Sequence, residues 1–345
     1  MIRIGIICPS EIAFRRFLPA LQKEKRMQYV GVAVATAEEW FGNTEIVTDK
    51  MQEVLHKERE KAENFRATYG GKVFDGYQCM LESGEIDAVY LPLPPALHFH
   101  WAQNALCRNL HVLVEKPSTT SLEDTEKLLV LARQNRLAIH ENYMFAYHSQ
   151  LQTVAQVMEQ GEIGTIRIIR VDFGFPRRPE GDFRYMRALG GGALLDCGGY
   201  TLKYADMLLH GQAKIEYAHV SAGENCDVEI FGNAVISGQN GEQIEVAFGM
   251  DNDYRCSIQA WGSKGTLSSN RILTAPEGFV PEYTIARNGN AQTFRMEADD
   301  AFLKSIAHFA DCVEQEAVRC SNYEELRRQE QLVDAFMEKA GMKEE

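Results

Sequence analysis

Val112-Leu113-Val114-Glu115-Lys116-Pro117 is an apolar run that breaks on a carboxylate, an ammonium and a proline. Upstream, Ala102, Ala105, Leu106 and Leu110 mark an apolar helix face, and downstream Ser121-Leu122-Glu123-Asp124 is a capping-box pattern that opens another helix. A short continuous apolar run between two helices reads as an inner strand of a parallel sheet. Glu115 and Lys116 then lie at its C-terminal end, the edge where open parallel sheets bind ligands. A lysine there is either part of a site or a helix-capping or surface cation, and the local pattern does not choose.

The same alternation extends outward. Strands read at 3–8, 30–35, 72–74, 88–91, 112–115 and 137–141. Between them, helical spacing appears at Phe14, Leu18 and Leu21, through Ala62, Phe65 and Tyr69 up to Gly70-Gly71, from about His98 to Asn109, and over 121–134. Residues 36–58 are polar and charged. Repeated strand-helix units specify a doubly wound, Rossmann-type parallel sheet over residues 1–145.

The composition changes beyond. A helix at 151–160 and a strand at 166–175 precede an arginine-bearing loop, and Gly190-Gly191-Gly192 leads into a buried helix. Strand-like runs follow at 217–221, 228–236, 244–248, 257–261 and 266–268 with no helix between them, which specifies a mainly antiparallel sheet. Two helices close the chain, 302–313 and, after the capping box Ser321-Asn322-Tyr323-Glu324, 326–340. The fold class is α/β: the Rossmann domain plus an α+β domain over 146–345 with an open sheet, whose closing helices can return to the first domain.

At 345 residues the chain exceeds one ordinary core, and 45% apolar with 25% charged residues is a soluble globular composition. A net charge of −13 argues against nucleic acid and anionic membranes as partners. No apolar run reaches the roughly 18 residues of a membrane span, and no cleavage site follows the apolar N-terminus, so the expected location is the cytoplasm. Eight scattered cysteines without a CxxC indicate small core residues, not a disulfide frame or a structural zinc.

The first strand-helix turn is Cys8-Pro9-Ser10-Glu11-Ile12-Ala13. Cys8, Ser10 and Ala13 occupy the glycine positions of a G-x-G-x-x-G dinucleotide loop; none is glycine, all are small. Alone, the turn reads more readily as a plain strand-helix connection than as a dinucleotide loop. NAD-specific sheets place an acid at the end of the second strand, and Val34-Ala35-Thr36-Ala37 has none, which favours NADP over NAD with Thr36 at the phosphate.

Glu115-Lys116-Pro117, Gly190 to Gly198 with Asp196 inside it, Trp261-Gly262-Ser263-Lys264-Gly265, Tyr90 to His98 and Glu141-Asn142-Tyr143-Met144 occur in an order that resembles the Gfo/Idh/MocA oxidoreductase family over nearly the whole chain. The resemblance implies NAD or NADP in the first domain, held by Cys8, Ser10, Glu11, Ile12, Ala13, Thr36, Pro92, Leu93, His98, Glu115 and Lys116. It implies catalysis by Lys116, Asp196 and Tyr200, Lys116 approaching from the other domain. A sugar-like substrate would meet Tyr143, Arg178 and Arg184, and a homodimer or homotetramer would form through the C-terminal sheet. Three features depart from the family pattern: the glycine-free turn, Ala146 in place of an arginine, and an insertion of roughly twenty residues after Thr36.

The chemistry follows from the residue types. Hydride transfer to or from an alcohol carbon requires a proton at its oxygen, and a tyrosine serves when a lysine favours its phenolate. Asp196 and Tyr200, four apart, share a helix face. Otherwise Asp196 is a helix-dipole carboxylate and Tyr200 a core aromatic. His98 and His100 are two apart on a helix and do not form a metal pair; His98 reads as a cap or a cofactor-side contact. His140, Glu141 and His148 together suggest a metal, yet the first two alternate across a strand, which argues against a metal centre. Arg177, Arg178, Arg184 and Arg187, opposed by Glu180 and Asp182, are either solvated or anion-binding. A glycosidase with retained NAD and a non-enzymatic dinucleotide sensor are the competing functions.

Overall fold

The computed structural model describes residues 1–42, 48–224 and 226–343. By internal contacts the chain forms two compact units: Met1–Thr119, Glu123–Asn142 and Ser305–Leu326; and Thr120–Leu122, Tyr143–Lys304 and Arg327–Glu345.

The first unit carries β1 (Ile2–Ile7), β2 (Met27–Val34), β3 (Lys72–Asp75), β4 (Ala88–Leu91), β5 (His111–Val114) and β6 (Ile139–Glu141), ordered β3-β2-β1-β4-β5-β6 with every pair parallel. The order reverses between β1 and β4, the crevice where such sheets take a dinucleotide. Val112, Leu113 and Val114 are fully buried, because a strand covered on both faces has no polar side. The helix before them starts at Pro95, not His98; a proline's fixed φ and missing N–H suit a first turn.

The polar stretch after Thr36, read as an insertion without assigned structure, is largely helical. Thr36 and Glu39 form a capping box on Ala37–Phe41, and Thr48 caps Asp49–Tyr69. Only Glu58, Ala62 and Phe65 of that long helix are buried, so its first half shows charge pairs such as Glu53–Lys57 in place of an apolar stripe. Residues 43–47 of the insertion lie outside the described residues.

The second unit carries β7 (Ile166–Gly174), β8 (Lys214–Ala222), β9 (Glu229–Ser237), β10 (Gln243–Gly249), β11 (Arg255–Gly262), β12 (Thr266–Asn270), β13 (Glu282–Arg287) and β14 (Asn290–Arg295). Their order is β14-β13-β12-β11-β7-β10-β9-β8, antiparallel except for β7 against β10. Val171, Phe173, Val246, Phe248 and Ile258 alternate into its core, while Tyr217 and Trp261 are exposed. The hairpin β13–β14 is an addition to the strands read from sequence. Its turn, Asn288-Gly289 with φ of 50° and 80°, is the left-handed pair that a two-residue hairpin needs.

The closing helices run Ala301–Glu314 and Glu316–Lys339, so Ser321 lies inside a helix and not at its start. The pattern there serves long-range bonds: Asn322 Nδ2 donates to Ile139 O at 2.6 Å, and the Tyr323 hydroxyl donates to Leu137 O. Among the described residues no helix is long and apolar enough to cross a membrane.

Candidate active site

In the first unit the turn after β1 divides its work among three small residues. Cys8 adopts φ 78°, the left-handed conformation for which dinucleotide loops use glycine. The Ser10 hydroxyl accepts the Ala13 amide at 3.2 Å, capping the helix, and Ala13 is fully buried. The amides of Glu11 and Ile12 find no acceptor among the described residues, which leaves the donor pair that a pyrophosphate oxygen takes at a helix start. The turn thus fits a dinucleotide through backbone geometry, while the side chains of Ser10 and Ala13 face the protein. The Cys8 thiol is no nucleophile, since burial pushes its pKa up to about 12. Cys8→Gly removes the side chain from a strained left-handed position, and we expect tighter NADPH binding in a fluorescence titration with a stability change below about 1 kcal/mol.

At the end of β2, the Thr36 hydroxyl accepts the Glu39 amide at 3.2 Å. The Glu39 carboxylate takes the amides of Thr36, Tyr77 and Gln78 at 2.8 to 3.0 Å, so the acid nearest this edge is spent on backbone. Thr36 keeps its hydroxyl hydrogen for a ligand.

At the edge of β5, Glu115 accepts the Tyr90 hydroxyl at 2.5 Å and the Asn142 amide at 2.6 Å. Burial raises its pKa, with these two bonds and Lys116 pulling the other way. Glu115, expected to touch the cofactor, therefore braces the wall beside Lys116. A buried chain continues behind it: Ser305 Oγ donates to Asn142 at 2.8 Å, and His140 lies 3.1 Å from Ser305 and 2.8 Å from Asn322 Oδ1.

His98, expected on the cofactor side, has both ring nitrogens engaged within the protein. It is fully buried, with Nδ1 2.7 Å from Pro117 O and Nε2 2.8 Å from Leu93 O, tying the turns after β4 and β5 together. Burial drives its pKa from 6.5 to about 4, overriding the two carbonyls. The unfolded chain binds this proton near pH 6.5 and the folded one only near 4, so this contribution to stability is complete above 6.5 and declines as pH falls towards 4. Urea unfolding should lose on the order of 2 kcal/mol from this group between about pH 7 and pH 5, and His98→Gln should flatten that slope.

In the second unit, a wide helical turn at Leu194–Gly198 runs into the helix Gly199–Leu208. Glu229 fixes its start by accepting the Leu194 amide at 2.9 Å, although burial raises the carboxyl's pKa. Gly192, at φ 123°, is needed there, because a Cβ would lie 2.4 Å from Glu229 Oε1. Asp196 accepts Arg184 Nε at 2.8 Å, and the same guanidinium reaches Asp182 at 3.2 Å. Burial opposes the Arg184 charge, yet the two carboxylates raise its pKa overall. Arg184, expected on the substrate, is thus the residue that holds Asp196.

Tyr200 is packed edge-on by Tyr143 at 5.0 Å and Phe173 at 5.3 Å, and is flanked by Phe145 at 5.4 Å. Tyr143, expected at the substrate, is only 1% exposed and packs against Tyr200. Gly199 permits this arrangement, since a Cβ there would lie 2.1 Å from the Tyr143 hydroxyl. In the loop, Arg177 pairs with Asp251 at 3.3 Å and Arg187 bonds Asp227 O. Arg178 is exposed, its guanidinium 5.2 Å from the Phe175 ring and without a carboxylate partner among the described residues. Among those residues no three His, Cys, Asp or Glu side chains are grouped to hold a metal ion.

A doubly wound sheet with free amides at its first turn, joined in one chain to a unit presenting tyrosine and a fixed aspartate, defines a nicotinamide-dependent oxidoreductase. Residues 2–143 match the oxidoreductase family with an NAD-binding Rossmann fold, and residues 151–268 match the GFO/IDH/MocA C-terminal domain. The chain belongs to the Gfo/Idh/MocA oxidoreductase family. It is 36% identical over 97% of its length, and 94% of the relative's, to a dTDP-3,4-didehydro-2,6-dideoxy-alpha-D-glucose 3-reductase of Actinomadura kijaniata. It is 33% identical to the enzyme of that name from Saccharopolyspora spinosa, over 97% and 96% of the two chains. The crystal structure of a 3-ketoreductase from Actinomadura kijaniata with NADP and TDP-benzene superposes with a TM-score of 0.88 at 35% identity, covering 98% of both chains. Variants of that enzyme were solved with a lysine or a tyrosine replaced, 84 positions apart, the separation of Lys116 and Tyr200 here. The protein is an NAD(P)-dependent enzyme that transfers a hydride between nicotinamide and a hydroxyl or carbonyl carbon of a sugar or sugar derivative.

Proposed function

We propose that the enzyme reduces the 3-keto group of a nucleoside-diphosphate-linked deoxy sugar with NADPH. The observation that carries this reading is the near-full-length identity to the dTDP-sugar 3-reductases, supported by the shared lysine-to-tyrosine separation. Bound NADPH supplies the hydride for the carbonyl carbon. Tyr200 gives its phenolic proton to the carbonyl oxygen, Lys116 favours the phenolate left behind, and Asp196, clamped by Arg184, keeps a fixed negative charge on the tyrosine's helix. Glu11 and Ile12 amides hold the pyrophosphate, and Thr36 donates to the 2′-phosphate. The protein works in the cytoplasm as a homodimer or homotetramer built on the C-terminal sheet, whose face exposes Tyr217 and Trp261; light scattering checks the assembly.

Arg178 is the anchor for the diphosphate, its guanidinium braced on Phe175. Arg178→Ala should raise KM for a dTDP-linked ketosugar by about tenfold or more at nearly constant kcat, and leave an uncharged sugar unaffected. The test of function follows NADPH oxidation with a dTDP-linked 3-ketosugar, against NADP reduction by free xylose, glucose and myo-inositol. Turnover of a free sugar alone would replace the nucleotide-linked substrate with a simple aldose or cyclitol.

A further inference from the structure

The second unit contains a cavity of about 530 Å³ walled by the helices Ser149–Glu159 and Gly199–Leu208 and by the starts of β7 and β10. Neither Asp196, Tyr200, Arg178 nor Arg184 lines it, and its apolar wall includes Leu151, Met158, Ile169 and Leu208.

Two further wall residues carry buried polar atoms with no partner among the described residues, Tyr204 Oη and His148 Nε2, in side chains that are 1% and 2% exposed. The proton on His148 is located by its other nitrogen: Nδ1 accepts the Gln150 amide at 3.2 Å, so in the neutral ring the hydrogen sits on Nε2. Burial keeps the ring neutral by lowering its pKa; Asp299 opposes this and Lys304 reinforces it. Burial also keeps Tyr204 a phenol by raising its pKa. Both orphaned atoms are therefore donors, and a buried donor without an acceptor costs on the order of 1 to 3 kcal/mol.

The charged groups at the cavity have one balance. Arg167 is exposed and has no carboxylate partner among the described residues, and the Lys304 ammonium rests on Asp299. Of the two acids, Glu242 is taken up by the amides of Asn240 at 3.0 and 3.1 Å, which leaves Glu159. Arg167 and Glu159 offset each other, so the orphaned donors and the apolar wall decide: they call for a ligand with acceptor oxygens at one end and hydrocarbon at the other.

We propose that this cavity binds a small carboxylic acid with an apolar body, its carboxylate accepting from Tyr204 Oη and His148 Nε2 and its body lying against Leu151, Met158, Ile169 and Leu208. The site is separate from the one that takes the sugar. The test is isothermal titration of the full-length protein saturated with NADP, using hexanoate and indole-3-acetate as probes and hexan-1-ol as the uncharged control. Both acids should bind saturably, with affinity about tenfold or more above that of hexanol and reduced about tenfold or more by Tyr204→Phe. Added dTDP should leave their binding unchanged. Ala155→Trp, which fills the cavity, should abolish binding; if that variant does not fold, Tyr204→Phe decides. The proposal is overturned by the absence of saturable heat from either acid at millimolar concentration, by undiminished binding in Tyr204→Phe, by hexanol binding as tightly as the acids, or by displacement with dTDP.

Discussion

Tyr200→Phe should lower turnover by about two to four orders of magnitude while NADPH affinity stays near that of the parent enzyme. The substitution removes one oxygen and keeps the ring, and the ring is what Tyr143, Phe145 and Phe173 pack against. The fold should therefore survive, and the loss can be read as chemistry. Lys116→Ala should cost a similar amount, and because the two groups act on one proton, the double variant should be little worse than either single one. Their pH profiles separate the roles: without Lys116 the phenol holds its proton more tightly, so the alkaline fall of reductase activity should move to higher pH, whereas without the phenol that dependence should disappear. Undiminished turnover in Tyr200→Phe would move the proton donor to Lys116.

Arg184→Ala should produce the second large loss, in stability and in activity together. Its guanidinium is the shared counter-ion of Asp196 and Asp182, and its removal leaves two partly buried carboxylates facing each other. Breaking such a cluster from one side costs about 2 to 4 kcal/mol, discounted from the fully buried case because the guanidinium keeps some solvent contact. Asp196 would lose the bond that aims it, so kcat should fall at least about tenfold for charged and uncharged substrates alike. Arg184→Lys should recover part of the stability and less of the rate, since a single ammonium cannot serve both carboxylates with a planar fork. Unchanged stability with a loss confined to charged substrates would return Arg184 to the substrate.

The contrast between Arg184 and Arg178 marks how far the sequence could be read. Four arginines in a loop are visible as a cluster, but which of them meets a carboxylate is decided by Asp196 and Asp251, residues brought near only by folding. The parallel sheet was legible because each inner strand is apolar on both faces, and the open sheet because its strands alternate. The hairpin β13–β14 went unread, since its strands are mostly exposed and carry no apolar alternation, leaving Asn288-Gly289 as its one signal. Ser321-Asn322-Tyr323-Glu324 misled for the opposite reason: residues that make good caps also make good long-range hydrogen bonds, and here Asn322 and Tyr323 make those. Motif order singles out Lys116, Asp196 and Tyr200 as it does Tyr143 and His98, but the burial of the last two does not show in a motif. Cys8 was read as merely small, whereas its backbone takes the left-handed conformation usually left to glycine.

The buried chain behind Glu115 also bears on how the protein is made. His140 waits for Asn322 across 182 positions and for Ser305 across 165, and Asn142 for Ser305 across 163. Domains at the start of a chain commonly fold while the remainder is still on the ribosome. This dinucleotide-binding unit cannot finish that way: its last strand keeps unsatisfied polar groups until the entire second sheet has been synthesised and Ser305–Leu326 has emerged. The nascent first sheet should therefore gain its full set of buried hydrogen bonds only after Ser305–Leu326 has been synthesised.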